Sequence, residues 1–226
     1  MSSLSNWLDD VAGPHGGQPL LAAGAELAGA SAAVIMLHGR GASASGILDL
    51  AGLLGAPGVA FLAPQATGGA WYPYRFLEAR DVNEPGLSSA HAVVGMILDK
   101  LNDAGIETAQ IVLLGFSQGA CLATDYAALN PRRYGGVIGF SGGLIGDRID
   151  PGAYAGSLAG TPAFLGCSDV DAHIPVERVH ETARVFEILG ADLTTAIYPG
   201  MGHTINQDEI EHARRIIGRT AEPESS

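Results

Sequence analysis

Ser117 is the residue whose setting most clearly indicates chemistry. It is the centre of a Gly-Phe-Ser-Gln-Gly segment at 115–119, which directly follows the apolar run 111–114. A strand, a sharp turn with a central serine and a following helix form the setting in which hydrolases expose a nucleophile. A serine hydroxyl is a weak nucleophile at neutral pH, so it needs an adjacent base and donors for the oxyanion that forms. Ser117 is therefore the candidate nucleophile, and an ordinary turn serine is the alternative.

His203 is the best-placed candidate base for this serine. It ends a Gly-Met-Gly-His segment at 200–203, between the last predicted strand and the last predicted helix. The glycines allow the backbone to bend, so an imidazole there can reach across the strand ends. Four other histidines lack such a loop and are expected to be solvated or packing residues: His15, His91, His180 and His212.

The acid that orients the base should follow a strand between those of the serine and the histidine. Asp169 and Asp171 follow the apolar run 163–165, and from the residues alone both remain candidates. The resulting order of serine, aspartate and histidine is the one found in α/β-hydrolases. Asp169, Asp171 and His173 also alternate along the chain, and in an extended strand they could bind a divalent cation. A triad acid explains the same segment with fewer assumptions, so no metal is expected.

The loop His-Gly-Arg-Gly-Ala at 38–42 follows another predicted strand and is the candidate second half of an oxyanion hole. Such a hole needs two backbone N–H groups, one after the nucleophile and one from an earlier strand end. Gln118 and Arg40 are the predicted donors, and His38 is expected to be a structural hydrogen-bonding residue. A dinucleotide loop is the alternative, but the segment lacks the third glycine of that motif, so no cofactor is expected.

Four aromatic residues within six positions indicate a binding wall in the irregular stretch between 64 and 88. Long loops are often lids or binding walls, and aromatic side chains supply apolar area. An acyl or aryl group could lie against them, although a loop pinned to the core is an equal alternative. The predicted substrate-binding residues are Trp71, Tyr72, Tyr74 and Phe76.

Apolar runs alternate with amphipathic segments along the chain. This alternation predicts a single α/β domain over 1–226, with a mostly parallel central sheet and helices on both faces. Residues 1–30 are read as an N-terminal extension with an early strand near 18–27, and 219–226 as a frayed tail. The predicted strands are 34–37, 59–63, 111–114, 137–140, 163–165 and 193–198, and the predicted helices include 88–104, 176–189 and a last one that begins near 206.

Composition excludes several partners. The 24 acidic against 12 basic residues, a net charge of −12, should repel nucleic acid and anionic membranes. No apolar run approaches the roughly 18 residues of a membrane span, so stable membrane insertion is not expected. Two cysteines and an N-terminus without a signal pattern favour a reduced cytoplasmic location. A homodimer is left open.

These motifs together resemble the phospholipase/carboxylesterase family, which includes acyl-protein thioesterases and bacterial carboxylesterases. The resemblance rests on the segments 37–41, 71–72, 115–119, 171–175 and 202–203, and covers roughly residues 30–218. It implies a compact α/β-hydrolase with few insertions, in which Ser117 is similar to the nucleophile and His203 to the base. Asp171 corresponds to the acid because it precedes Pro175 by four residues. The segment is two residues longer than in the family pattern, so Asp169 keeps the spacing from the preceding glycine.

The function expected from these residues is a serine carboxylesterase that hydrolyses carboxylic esters through an acyl-enzyme. Its substrate would be a small-molecule ester or thioester. Acyl-protein thioesterase or lysophospholipase activity is the alternative, and a non-catalytic protein that binds a small ligand is the second.

Overall fold

A computed structural model describes residues 4–55 and 57–221. Seven strands of this part form one sheet in the order β1-β3-β2-β4-β5-β6-β7. Strand β1 pairs antiparallel with β3, and all other pairs are parallel. The strands are β1 (Leu20–Gly24), β2 (Ala32–Leu37), β3 (Val59–Pro64), β4 (Ile111–Phe116), β5 (Gly136–Phe140), β6 (Pro162–Ser168) and β7 (Asp192–Tyr198).

Six α-helices cover the two faces of the sheet. One face carries α1, α2 and α6, and the other carries α3, α4 and α5. Parallel strands covered on both faces are buried along their length, as the continuous apolar runs of β2, β3 and β4 require. The helices are α1 (Ala44–Leu48), α2 (Ala51–Leu54), α3 (Gly86–Asp103), α4 (Gln118–Leu129), α5 (Val176–Ile188) and α6 (Gln207–Ala221).

This architecture confirms the predicted α/β-hydrolase fold with a mostly parallel sheet and helices on both faces. The periodic residues of α3, Val93, Ile97 and Leu101, are fully buried, as one apolar helix face requires. The capping box before α6 is also present: the Asn206 N–H donates to the Glu209 carboxylate, and the Glu209 N–H donates to the Asn206 side chain.

The early strand predicted near 18–27 is present as β1 (Leu20–Gly24), which pairs with β3, and Leu8 and Val11 of the predicted N-terminal extension pack into the core. The predicted tail began at 219, but α6 continues to Ala221 because Ile216 and Ile217 pack on the sheet and Thr220 hydrogen-bonds Gly135. Residues 222–226 lie outside the described part. No helix within the described residues has the length and apolar character needed to cross a bilayer.

Candidate active site

Ser117 lies at the turn between β4 and α4, with φ 55° and ψ −120°. A non-glycine residue in this region is strained and persists only where its surroundings hold it. Here the Ser117 N–H donates to the Phe140 carbonyl at 2.9 Å, and the Ser117 carbonyl accepts from the Cys121 N–H at 3.0 Å. The strand on one side and the helix on the other therefore hold the serine at the carboxyl end of the sheet.

The two glycines of the segment are required by close backbone approach. A Cβ atom at Gly115 would lie 2.2 Å from the Gly119 carbonyl oxygen, and one at Gly119 would lie 2.0 Å from the Leu37 carbonyl oxygen. Both distances are far below van der Waals contact. Only glycine at these positions lets α4 start so close to β4 and β2.

His203 and Asp171 complete a chain of contacts with the serine. The His203 Nε2 atom lies 2.8 Å from Ser117 Oγ, and its Nδ1 atom lies 2.6 Å from Asp171 Oδ2. Strands β4 and β7 are three positions apart in the sheet, which is roughly 14 Å at the usual strand spacing. The loop after β7 must therefore turn back over the strand ends to bring the imidazole to the serine.

Asp169 contacts the same loop but not the imidazole. Its carboxylate accepts a hydrogen bond from the Gly200 N–H at 2.7 Å, where Gly200 has φ 65°. Asp169 thus holds the bend of the histidine loop, and Asp171 holds the histidine. Strand β6 ends at Ser168, so residues 169–173 form turns and not the extended strand that the metal alternative needed. The described residues contain no group of three potential ligands arranged to bind a metal.

The side chain of Asp171 is buried, yet its pKa is lowered. Burial alone would raise its pKa, but hydrogen bonds from His203 and from the backbone N–H groups of His173 and Ile174 lower the pKa below its ordinary value. The two latter bonds measure 2.8 and 3.1 Å. A fixed carboxylate of this kind can stabilise an imidazolium at the neighbouring histidine.

The two cysteines near the site are poor alternatives to the serine. Burial raises the pKa of Cys121 to about 12 and that of Cys167 to about 12. The thiolate is the nucleophilic form of cysteine, so both side chains are unreactive at neutral pH.

The loop 38–42 lies directly beside Ser117. A Cβ atom at Gly39 would lie 3.4 Å from Ser117 Cβ. Within the described part of the chain, neither the Arg40 nor the Gln118 backbone N–H has a hydrogen-bond acceptor. His38 is buried, with its Nδ1 donating to the Gly39 carbonyl and its Nε2 accepting from the Ala66 N–H, so both ring nitrogens are occupied.

The four predicted substrate-binding aromatics divide into two groups. Tyr72 and Phe76 line the cavity next to Ser117. Trp71 does not, because it is fully buried and its indole N–H donates to the His38 carbonyl. Tyr74 does not either, because its side chain is 59% exposed outside the cavity. Trp71 anchors the loop, as the pinned-loop alternative expects, and neither Trp71 nor Tyr74 is among the residues that line this cavity.

Side-chain bonds hold this loop in place from two directions. The Arg40 guanidinium donates to the carbonyls of Tyr72 and Pro73 at 2.9 Å, and the Gln118 amide donates to the Tyr72 carbonyl at 2.9 Å. His15, expected to be a solvated or packing residue, is buried and contacts the Trp71 carbonyl at 2.8 Å. The residues predicted as oxyanion donors thus also fix the wall of the cavity.

The cavity has a volume of about 510 Å³, and several residues that line it were not predicted from the sequence. Most of these residues lie close in sequence to a predicted one. His173 and Ile174 follow the candidate acid, Cys121 lies one helical turn after Ser117, and Arg75 lies within the aromatic segment. The lining residues are Arg40, Tyr72, Arg75, Phe76, Ser117, Gln118, Cys121, Ala172, His173, Ile174 and His203.

The sheet order, the strained serine turn and the loops at the strand ends define the chain as an α/β-hydrolase. Residues 25–220 match the model of the phospholipase/carboxylesterase family, and the chain belongs to this family. A crystal structure of a phospholipase/carboxylesterase from Dyadobacter fermentans DSM 18053 is 40% identical, with a TM-score of 0.87 over 92% of this chain and 99% of that chain. The crystal structure of esterase PE8 is 29% identical, with a TM-score of 0.72 over 88% of this chain and 96% of that chain.

Curated relatives include thioesterases. Acyl-protein thioesterase 1 of Kluyveromyces lactis is 30% identical over 207 residues, which cover 82% of this chain and 90% of that protein. Acyl-protein thioesterase 1 of Gibberella zeae is 25% identical over 151 residues, and the chain spans only 63% of its length. The family and these relatives make the chain an enzyme of the esterase and thioesterase group of hydrolases.

Proposed function

We propose that this chain is a serine carboxylesterase that acts through an acyl-enzyme on Ser117. The observation that carries the proposal is the continuous set of contacts from Ser117 Oγ through His203 to Asp171, with distances of 2.8 and 2.6 Å at the wall of an open cavity. This geometry suits proton transfer from the serine to the imidazole without further rearrangement.

In the first half of the reaction, Ser117 Oγ attacks the ester carbonyl carbon while His203 Nε2 takes the hydroxyl proton. The backbone N–H groups of Arg40 and Gln118 stabilise the negative charge that develops on the carbonyl oxygen. Neither N–H group donates to another atom of the described residues, so both are free to do so. The tetrahedral intermediate then collapses, the bond to the leaving group breaks, and His203 returns the proton to the departing oxygen. In the second half, water attacks the acyl carbon while His203 Nε2 takes a proton from it; the bond to Ser117 Oγ then breaks, His203 returns the proton to Ser117 Oγ, and the carboxylic acid is released.

Thioester hydrolysis uses the same residues and is the second candidate, favoured by the acyl-protein thioesterase relatives. The two activities differ in the leaving atom, because a thiolate leaves with little help from an acid. A matched pair of an oxygen ester and a thioester with the same acyl group separates them: the ratio of the two kcat/KM values reports the preference.

Covalent labelling tests the nucleophile. A fluorophosphonate probe should label the wild type at Ser117 alone, as read by peptide mass spectrometry, and Ser117→Ala should remove the label. Ser141→Ala is the matched control, because Ser141 also follows a strand with positive φ, 50°, but is fully buried. Labelling that persists in folded Ser117→Ala, or esterase activity that persists in it, would overturn the proposal in favour of another nucleophile or a binding protein.

A further inference from the structure

The cavity beside Ser117 differs in charge from the rest of the molecule. The chain has 24 acidic and 12 basic residues. Two of the basic residues, Arg40 and Arg75, line this cavity, and no aspartate or glutamate within 4–55 and 57–221 is among its lining residues. Excess negative charge elsewhere repels anionic ligands, so a locally positive wall is the feature that admits them.

The two arginines are not equivalent. The Arg40 guanidinium is occupied by the backbone carbonyls of residues 72–74. The Arg75 side chain is exposed, and within the described residues it makes no ion pair or side-chain hydrogen bond. A guanidinium carries five N–H donors in a planar fork that matches a carboxylate or phosphate. Of the two arginines, Arg75 is therefore the one with donors left for an anionic ligand.

The chemistry at His203 indicates which part of a substrate meets Arg75. The leaving-group oxygen must face His203 Nε2 to receive its proton, and His203 is flanked by His173 at 4.8 Å between ring centroids. The carbonyl oxygen must face Arg40 and Gln118. The Arg40 and Gln118 side chains both donate to the Tyr72 carbonyl, and Tyr72, Arg75 and Phe76 belong to one segment of the cavity wall. With the leaving group on the His203 side, we place the acyl part along this segment.

The cavity is large enough for one substrate molecule to contact both Ser117 and Arg75. A volume of about 510 Å³ holds one small molecule. Ser117, Phe76 and Arg75 line the same cavity, so a substrate with its carbonyl at Ser117 has room for a short acyl chain that extends toward Phe76 and Arg75.

We infer that the preferred substrate is an ester or thioester whose acyl part carries a terminal anionic group, a carboxylate or a phosphate-like group, which binds Arg75. This inference rests on the proposed function and specifies its substrate class. It assigns Arg75 a role in specificity: the residue contacts the substrate but not the reacting atoms.

The test uses three 4-nitrophenyl esters of matched acyl length: the neutral pentanoate, the glutarate monoester with a free carboxylate, and the 4-phosphonobutanoate. The measured quantity is the kcat/KM of each anionic ester divided by that of the pentanoate. The wild type should favour at least one anionic ester about tenfold, the size of one charge-assisted contact. The preference should fall as NaCl is raised, because salt screens exposed charges. The two anionic arms show whether carboxylate or phosphonate is the better match.

Three variants localise the effect. Arg75→Gln should lower the preference several-fold, and Arg75→Lys should retain part of it because the charge remains. Arg184→Gln is the matched control, since Arg184 is an exposed arginine on α5 outside the cavity, and it should keep the wild-type preference. An absent preference for both anions in the wild type, or an equal preference in Arg75→Gln, would overturn the inference.

The same assay distinguishes this failure from failure of the proposed function. If pentanoate hydrolysis depends on Ser117 but no anionic preference exists, only the substrate inference fails. If hydrolysis does not depend on Ser117, the proposed function itself fails.

Discussion

Two aspartate–histidine pairs in this molecule look alike and differ in what surrounds them. His203 Nδ1 lies 2.6 Å from Asp171, and His91 Nε2 lies 2.9 Å from Asp125. Both carboxylate side chains are fully buried, and both histidines are partly exposed. The first pair lies at the carboxyl ends of β6 and β7, and the second joins α3 to α4.

The surroundings of the two pairs differ at the second imidazole nitrogen. The second nitrogen of His203 faces Ser117 at an open cavity. The Asp125 carboxylate instead receives two hydrogen bonds from Arg80, at 2.8 and 2.9 Å, and one from the Ile145 N–H. Asp125 thus ties the Arg80 segment and the loop after β5 to the two helices. An aspartate–histidine contact suits catalysis only where the other imidazole nitrogen meets a reactive group.

A lowered carboxylate pKa does not distinguish the two pairs. Burial would raise the pKa of Asp125, but hydrogen bonds and charges from His91 and Arg80 lower the pKa below its ordinary value of 3.8. The pKa of Asp171 is lowered in the same way, by the hydrogen bonds that its carboxylate accepts. Geometry at the second nitrogen, and not the carboxylate pKa, therefore marks the candidate site.

The largest effect is expected from Asp171→Asn. Loss of the charge should lower kcat by about 10⁴-fold, because the imidazole loses its orienting carboxylate and its tautomer preference. Steady-state kinetics on a neutral chromogenic ester measures this effect, and circular dichroism checks that the variant is folded. A folded Asp171→Asn with near wild-type kcat would break the distinction between the two pairs.

Asp125→Asn should act on stability instead. Removing one partner of a buried ion pair leaves Arg80 and His91 without their carboxylate, which should lower the free energy of unfolding by about 3 kcal/mol. Urea denaturation measures it, with exposed Asp99→Asn on α3 as the matched control. The folded variant should keep a kcat close to that of the wild type. A large loss of kcat without a loss of stability would contradict the structural role.

The Asp125 effect should depend on pH in one direction. Its folded-state pKa lies below the unfolded value, so the stabilisation is present above the ordinary 3.8 and is lost as the pH falls through the folded value. The difference in unfolding free energy between wild type and Asp125→Asn should therefore shrink on acidification. A difference that stays constant from neutral pH to well below 3.8 would show that the charge is not the cause.

Glu209 offers a contrast to both aspartates, because it is a buried carboxyl with no cationic partner among the residues that the structure describes. Burial raises its pKa to about 7, although a hydrogen bond from the Asn206 N–H opposes the shift and Asp208 adds to it. The folded state favours the protonated form, so the unfolding free energy should fall as pH rises from about 4.5 to about 7.

Glu209→Gln should remove this dependence. The amide can still accept from the Asn206 N–H, and it does not ionise. The wild type loses stability as Glu209 ionises, so the unfolding free energy of the variant relative to wild type should rise between pH 5 and pH 8 by up to about 3 kcal/mol. Urea denaturation at the two pH values measures the change. A relative stability that is equal at both pH values would show that Glu209 ionises normally in the folded state.

The smallest effect is expected from Asp169→Asn. Asp169 accepts one hydrogen bond from Gly200, and an amide oxygen can replace it, so the loss of unfolding free energy should be about 1 kcal/mol or less. The same kinetic assay should show a far smaller loss of kcat than in Asp171→Asn. If Asp169→Asn is the more damaged of the two, then the loop bend and not the carboxylate on His203 limits the reaction.

The sequence by itself determined the features that depend on a few neighbouring residues. The strand, turn and helix around Ser117 follow from an apolar run and two glycines that admit close backbone approach. The capping box of Asn206 and Glu209 is likewise local, because its bonds span three residues. The alternation of apolar runs and amphipathic helices was enough for the fold class, since parallel sheets need helices on both faces.

Only the tertiary structure decided which distant side chains meet. Asp169 and Asp171 are two residues apart, and sequence spacing supported either; the path of the loop after β7 placed Asp171 on His203 and Asp169 on Gly200. The aromatic cluster could not be divided into anchor and wall until Trp71 packed beside His38. The Asp125–His91 pair had no motif at all. The physical reason is that these contacts join residues 31 to 34 positions apart, so they depend on strand order and loop path and not on local pattern.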